Sequence, residues 1–400
     1  MKNKIFIKLK KIMVVLMITL ITFAINITST KAKENLQTNS QNNSFINDKV
    51  DLGIESPSAI LIETSTNTII YEKNSKEHRP PASMTKIMTM ILVMEEIDKG
   101  NLKYSEMVVA SENASRMGGT TIYLDTGEEM SVHDLLKGVA ITSANDAAVC
   151  LAERIGGTEE NFVKMMNDKA REIGCNDTNF VNPNGLPEDN HYSCAHDMGI
   201  MGSYLVTNHP EILKYTSIYE DYLRKGTEKE FWLVNTNKLV RFYKNVDGLK
   251  TGWTNDAGYC LTATMEENNI RFVSVVMGGS SPAKRNSEIM TMLKYGVSSY
   301  ELIKICEKEE VIEIVKDIKY KPSVYTVVVP KEINILVKKG NNKLDIKKEV
   351  ELNGLENNYI NIYINNSHYK KVDLVILEEV ERASVINILW CLIKDIFLGY

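Results

Sequence analysis

Three short groups of residues in this chain carry side chains suited to nucleophilic chemistry: Ser83-Met84-Thr85-Lys86, Ser143-Ala144-Asn145 and Lys250-Thr251-Gly252. A serine alcohol is a weak nucleophile and needs an adjacent base. In a Ser-x-x-Lys on a helix, residues three apart share a face, so the lysine amine reaches the serine hydroxyl. Lysine becomes a base when burial or a neighbouring cation makes its proton easier to lose. Each group alone is weak evidence. Ser-x-x-Lys recurs at Ser281 to Lys284 and Ser367 to Lys370, and Ser-x-Asn recurs at Ser40, Ser65 and Ser111. Ser143 alone would read as a helix cap, and Lys250-Thr251-Gly252, which is unique in the chain, as a surface turn.

The elements around the groups sort these candidates. Pro80-Pro81 breaks the chain, and a helix is predicted from Ser83 towards Asp98, with Met84, Ile87, Met88, Ile91 and Leu92 on one apolar face. Ser281-Pro282 and the alternating stretch around Ser367 are not expected to open such a helix. At a helix start, free backbone N–H groups and the dipole favour negative charge, which selects Ser83 over the other two serines. Helices are predicted at Val132 to Ala140 and Asn145 to Arg154. A hairpin is predicted over Ser58 to Glu63 and Thr68 to Glu72, and strands over Gly258 to Thr264 and Ile270 to Met277.

The chain of 400 residues is too long for one comfortable core, so two domains are expected. Lys2, Lys4, Lys8, Lys10 and Lys11 precede the apolar run Ile12 to Ile25, and Thr30-Lys31-Ala32 offers a cleavage site, so residues 1–32 read as a signal peptide for export. Residues 33–55 read as a flexible leader, 56–300 as the domain carrying all three groups, and 301–382 as a small β-sandwich of alternating runs. Residues 383–400 read as an amphipathic helix, with Ile386, Leu389, Ile393, Ile396 and Phe397 on one side; it is too short to span a bilayer but long enough to lie on its surface.

The formal charge is −5, and loss of the six lysines of residues 1–32 leaves −11, which argues against nucleic acid as a partner. The six cysteines show no compact framework and read as buried thiols. No metal or cofactor is expected: HExxH and CxxC are absent, and His209-Pro210-Glu211 reads as a loop.

Ser-x-x-Lys, Ser-Asp-Asn and Lys-Thr-Gly together form the signature shared by penicillin-binding proteins and class A β-lactamases, and the three groups here follow in that order, with Ala144 in the middle of the second. Arg79 to Lys86, Val246 to Thr254 and Ala257-Gly258-Tyr259 resemble the low-molecular-mass penicillin-binding proteins, the serine D-alanyl-D-alanine carboxypeptidases. Phe180-Val181-Asn182-Pro183-Asn184-Gly185-Leu186 is a further match, read as structural. The resemblance implies an α+β fold: an antiparallel sheet with helices and a helical insert, followed by a small all-β domain. It implies that Ser83 attacks the carbonyl of the penultimate D-Ala of a peptidoglycan stem peptide, and that β-lactams acylate the same serine. It further implies that Lys86 takes the proton, Ser143 relays one to the leaving amine and Asn145 holds the substrate amide. Lys250 and Thr251 would bind the terminal carboxylate, and the N–H groups of Ser83 and Trp253 would form the oxyanion hole.

One departure stands out. Some relatives carry arginine inside an Asn-x-Asn triplet upstream of Lys-Thr-Gly as an extra contact to the substrate carboxylate; here the triplet is Asn235-Thr236-Asn237. The resemblance therefore does not carry that contact over, and Arg241 is no clear substitute. A secreted β-lactamase shares the motifs, but the matching Glu-x-x-Leu-Asn is missing at Glu159-Glu160-Asn161-Phe162. A transpeptidase or a penicillin-binding receptor that does not turn over also stays open at this point.

Overall fold

The structure is a computed structural model, and it describes residues 50–340 and 344–398. The segment read as a signal peptide and nearly all of the leader lie outside the described residues. The described residues divide into two compact units, one of 50–303 together with 334–340, the other of 304–333 and 344–398.

The first unit is built on a five-stranded antiparallel sheet. Its strands are β1 (Ser58–Glu63), β2 (Thr68–Lys73), β3 (Val246–Thr254), β4 (Gly258–Glu267) and β5 (Ile270–Gly279), in the order β2-β1-β5-β4-β3. β1 and β2 form the predicted hairpin, and β1 is buried along its whole length. A strand buried on both faces needs cover on both. Helix α3 (Ala195–Asn208) supplies it on one side, its Gly199 over Ile60 and Ile62 and its Gly202 beside Thr262 and Val273. Helix α4 (Pro282–Ser299) covers the opposite side, its Gly296 against Phe272, which neighbours Val273 and so faces the other way.

The helical part of this unit carries α1 (Lys86–Asp98) and α2 (Asn145–Gly156). Met84, Ile87, Met88, Ile91 and Leu92 are buried as their spacing predicts, together with Ile122, Leu135, Leu136, Leu151 and Phe162.

Local differences from the sequence reading have physical causes. The helix expected from Ser83 begins at Lys86, because Ala82–Thr85 forms a tighter 3₁₀ turn that enters through Ala82 at φ 48. The helix expected over Val132 to Ala140 ends at Lys137 and widens into a π-turn, Gly138–Thr142, which stops at Ser143 in the left-handed region (φ 71, ψ 33). Ser281 does open a long helix, contrary to expectation: its hydroxyl accepts from the Lys284 N–H, and Pro282 sits in the first turn, where its missing N–H costs nothing. Ser281 to Lys284 is therefore an N-cap. His209-Pro210-Glu211, expected as a loop, leads into a short 3₁₀ turn, Pro210–Ile212, with His209 before it buried and hydrogen-bonded to Asp98 at 2.6 Å.

In the second unit, strands Val311–Lys316, Val324–Val328 and Val375–Ile376 make one sheet, and Ile346–Glu351, Tyr359–Ile364 and Ser367–Asp373 another. Ile360, Ile362 and Ile364 are buried while their neighbours are partly open, the period-two signature of a half-buried strand. Helix α5 (Val385–Leu398) ends the described chain. No described helix is long and apolar enough to cross a membrane. Five of the six cysteines are buried free thiols, and Cys391 is partly buried.

Candidate active site

The three sequence groups converge. Ser83 lies on the 3₁₀ turn, Ser143 at the end of the π-turn, Asn145 at the start of α2, and Lys250, Thr251 and Trp253 on β3. The turn is pressed against β3 at Gly252, where a Cβ would lie 2.7 Å from the Pro81 carbonyl oxygen and 3.2 Å from the Met84 nitrogen. Only glycine lets strand and turn approach this closely.

Lys86 is fully buried and connects the groups. Its Nζ lies 3.0 Å from Ser83 Oγ, 2.7 Å from Asn145 Oδ1 and 2.6 Å from the Asn184 carbonyl oxygen. Burial, and then the nearby Lys250 cation, push the Lys86 ammonium well below its ordinary range, with the Asp146 carboxylate pulling partly back. Nζ here donates to all three oxygens, Ser83 Oγ included. Once the amine is neutral, two N–H groups can stay on the carbonyl oxygens of Asn145 and Asn184 while the lone pair turns to the Ser83 hydroxyl proton.

Asn145 therefore has a task beyond the one its motif implied. Its Nδ2 donates to the Gly118 carbonyl at 2.7 Å, which fixes the amide so that Oδ1 faces Lys86. Its backbone N–H is tied to the Thr120 carbonyl. The neighbouring Asp146 accepts from the N–H groups of Ile122, Leu124 and Ala147 and pins that loop to α2. Burial raises its pKa.

The stretch Phe180 to Leu186, read from sequence as structural, belongs to the site. Besides the Asn184 carbonyl at Lys86, the Pro183 carbonyl accepts from Thr89 at 2.6 Å. His191 Nδ1 accepts from the Val181 N–H, so Nε2 carries the proton and donates to Thr85 Oγ1 at 2.8 Å. Burial lowers the His191 pKa to about 4, so it stays neutral as a structural link. Gly185 (φ +85) lies over Ala82; a Cβ there would fall 1.9 Å from the Ala82 carbonyl oxygen. The signal available in sequence was the Asn182-Pro183-Asn184-Gly185 turn composition, which gives no hint that a backbone carbonyl serves the base.

Lys250 is 1% exposed, with its Nζ 3.1 Å from the Thr251 carbonyl. Burial and then Arg285 lower its pKa to about 7. Thr251 Oγ1 donates to Thr236 Oγ1 at 2.7 Å. Trp253 is 55% exposed at the rim and packs on Tyr259 with ring centroids 6.0 Å apart. Arg241 lies on the Tyr219 ring, 4.7 Å from its centroid, and donates to its hydroxyl. Beside the nucleophile a cleft of about 370 Å³ is lined by Ala82, Gly185, Leu186, Glu188, Asp189 and Asp256, among others.

Outside this site, ligand-type atoms of Cys194, His196 and Asp197 lie within 4.8 Å of one another. Cys194 there caps α3, its Sγ accepting from the Asp197 N–H, and burial with Asp197 nearby pushes the thiol up to about 12.

Comparison with known proteins matches residues 37–281 to the family described as D-alanyl-D-alanine carboxypeptidase, the S11 peptidases. The D-alanyl-D-alanine carboxypeptidase DacF of Bacillus subtilis (strain 168) is 49% identical over 302 residues, 76% of this chain and 77% of that protein. Penicillin-binding protein 5 of Haemophilus influenzae superposes with a TM-score of 0.70 at 29% identity, over 82% of this chain and 98% of the other. Penicillin-binding protein D2 of Listeria monocytogenes, solved in its ampicillin-bound form, gives 0.56 at 32% identity over 62% and 99%. This chain belongs to the D-alanyl-D-alanine carboxypeptidase family of serine peptidases.

Proposed function

We propose that this chain removes the terminal D-alanine of peptidoglycan stem peptides through an acyl-enzyme on Ser83, and that β-lactams acylate the same oxygen. The observation that carries the reading is the 3.0 Å approach of a buried, deprotonation-prone Lys86 amine to Ser83 Oγ. Lys86 takes the Ser83 proton as Oγ attacks the carbonyl of the penultimate D-Ala. The N–H groups of Ser83 and Trp253 receive the developing oxyanion. The C–N bond then breaks, and the leaving amine takes a proton through Ser143. Water hydrolyses the ester and restores Ser83. Lys250 and Thr251 hold the terminal carboxylate, and Asn145 orients Lys86 as well as the substrate amide.

Export to the outer face of the cytoplasmic membrane or the wall fits a wall-peptide substrate and the signal peptide read over 1–32. Helix α5 exposes Val385, Ile386, Leu389 and Trp390, an apolar side suited to lying on a lipid surface.

The experiment is D-alanine release from a peptide ending in Lys-D-Ala-D-Ala. The wild type releases it and Ser83→Ala does not; release by both removes Ser83 from the mechanism. The pH profile follows from the same two lysines. Lys86 must be neutral to act, and its depressed pKa puts the acid limb far below the ordinary lysine range. Lys250 must be charged to hold an anion, so kcat/KM falls as pH rises through about 7 in the free enzyme. A bound carboxylate favours the charged lysine, so the alkaline limb of kcat lies higher than that of kcat/KM. Coincident alkaline limbs would show that Lys250 does not meet the carboxylate.

A further inference from the structure

We propose that His191 is a positioning residue of the reaction: its neutral imidazole holds the turn that carries Ser83 in register with the loop whose Asn184 carbonyl meets Lys86. The proposal deepens the carboxypeptidase reading above and rests on it.

The ring lies between two segments that each supply part of the reacting group. On one side Nε2 donates at 2.8 Å to Oγ1 of the fully buried Thr85, two residues after Ser83 and next to Lys86. On the other, Nδ1 accepts at 3.0 Å from the Val181 N–H, three residues before Asn184. Asn182 Oδ1 accepts from the Gly185 N–H at 2.7 Å, so a shift at Val181 passes through a short, braced turn to the Asn184 carbonyl. The ring itself is fixed. The backbone of Tyr192 pairs with Asn179 in both directions, and that of Ser193 with Arg79. The Phe180 ring meets the imidazole edge-on, with centroids 5.9 Å apart.

The chemistry of the ring points beyond packing. His191 is 7% exposed, and a hydrocarbon ring would fill the same space without burying polar nitrogens. A neutral imidazole offers one donor and one acceptor on a rigid frame, and only the Nε2–H tautomer satisfies both contacts. Burial keeps the ring neutral down to about pH 4. Below that, an Nδ1–H faces the Val181 N–H, donor against donor, and the link opens. The charged residues on the surrounding segments are Arg79, Lys86, Glu188, Asp189 and, past the end of β3, Asp256. Both ring nitrogens are already bonded elsewhere, so none of these pairs with the imidazole.

The test measures the rate constant and the stoichiometry of Ser83 acylation by benzylpenicillin in the wild type, His191→Phe and His191→Gln. Phenylalanine fills the space and makes neither bond. Glutamine keeps an N–H for Thr85 and loses the acceptor for Val181. The rate constant is expected to fall about 100-fold for phenylalanine, the order of loss that a displacement of about 1 Å at a nucleophile brings, and about tenfold for glutamine. In D-alanine release from the Lys-D-Ala-D-Ala peptide the loss is carried by kcat, with KM within about threefold of the wild type. Below about pH 4 the acid limb of wild-type acylation is one proton steeper than that of His191→Gln, a difference that a purely structural role would not produce. A phenylalanine variant acylated within threefold of the wild-type rate constant overturns the proposal, and so do acid limbs of equal steepness. It is also overturned if only the labelled fraction falls while the labelled molecules react at the wild-type rate, which would make His191 a brace of the fold alone. If the wild type is acylated but releases no D-alanine, the carboxypeptidase reading fails, and the penicillin rates still decide whether His191 positions the nucleophile.

Discussion

Replacing Lys86 by methionine is expected to abolish acylation of Ser83, with a fall in kcat/KM of about 10⁴-fold or more, since base and nucleophile act as a unit. The fold survives this change. Methionine is close to lysine in length and removes a buried amine whose desolvation is unfavourable. The carbonyl oxygens of Asn145 and Asn184 lose their donor, at about 1–3 kcal/mol each, so the melting temperature falls modestly while the far-UV circular dichroism spectrum stays unchanged. The loss of activity must persist at every pH, because no other described side chain places a basic nitrogen within hydrogen-bonding distance of Ser83 Oγ. Recovery at high pH would mean that hydroxide or another group deprotonates Ser83.

Gly185→Ala is expected to damage both stability and rate, although residue 185 carries no reacting group. At φ +85 an alanine costs about 1–2 kcal/mol in backbone strain alone. Its Cβ would sit 1.9 Å from the Ala82 oxygen, so the turn that carries Ser83, the loop that carries the Asn184 carbonyl, or both must move. A displacement of about 1 Å at a nucleophile costs on the order of 100-fold in rate. Penicillin acylation of the variant, measured beside its melting temperature, tests this; a variant acylated at the wild-type rate would show that the two segments are not held in register by their contact.

How much of this was legible in the sequence differs from residue to residue. α1 announced itself through its 3.6-residue pattern, β1, β2, β4 and β5 through short apolar, β-prone runs, and the strands of the second unit through period-two alternation. No such pattern marked β3, the strand that carries Lys250. Ser83, Lys86, Ser143, Asn145, Lys250, Thr251 and Trp253 were legible because chemistry restricts their types and the family resemblance supplies their order. The Asn184 carbonyl was not, since a backbone atom carries no residue type. The π-turn before Ser143 and the left-handed Ala82 were illegible for a related reason: tertiary packing, not local preference, holds non-glycine residues there. Ser281 misled because a proline in the first turn was read as a break where it is a helix start. The hydroxyl contact between Thr236 and Thr251 joins positions 15 residues apart, and no pattern in the chain encodes it.

The most direct measurement of the central claim is to trap the acyl-enzyme with benzylpenicillin and map the adduct by mass spectrometry. Cleavage after lysine gives the peptide 77–86, whose only serine is Ser83. One adduct per chain, confined to that peptide and absent from Ser83→Ala, is the predicted result. An adduct on any other peptide, or D-alanine release by an enzyme that penicillin neither labels nor inhibits, would contradict it.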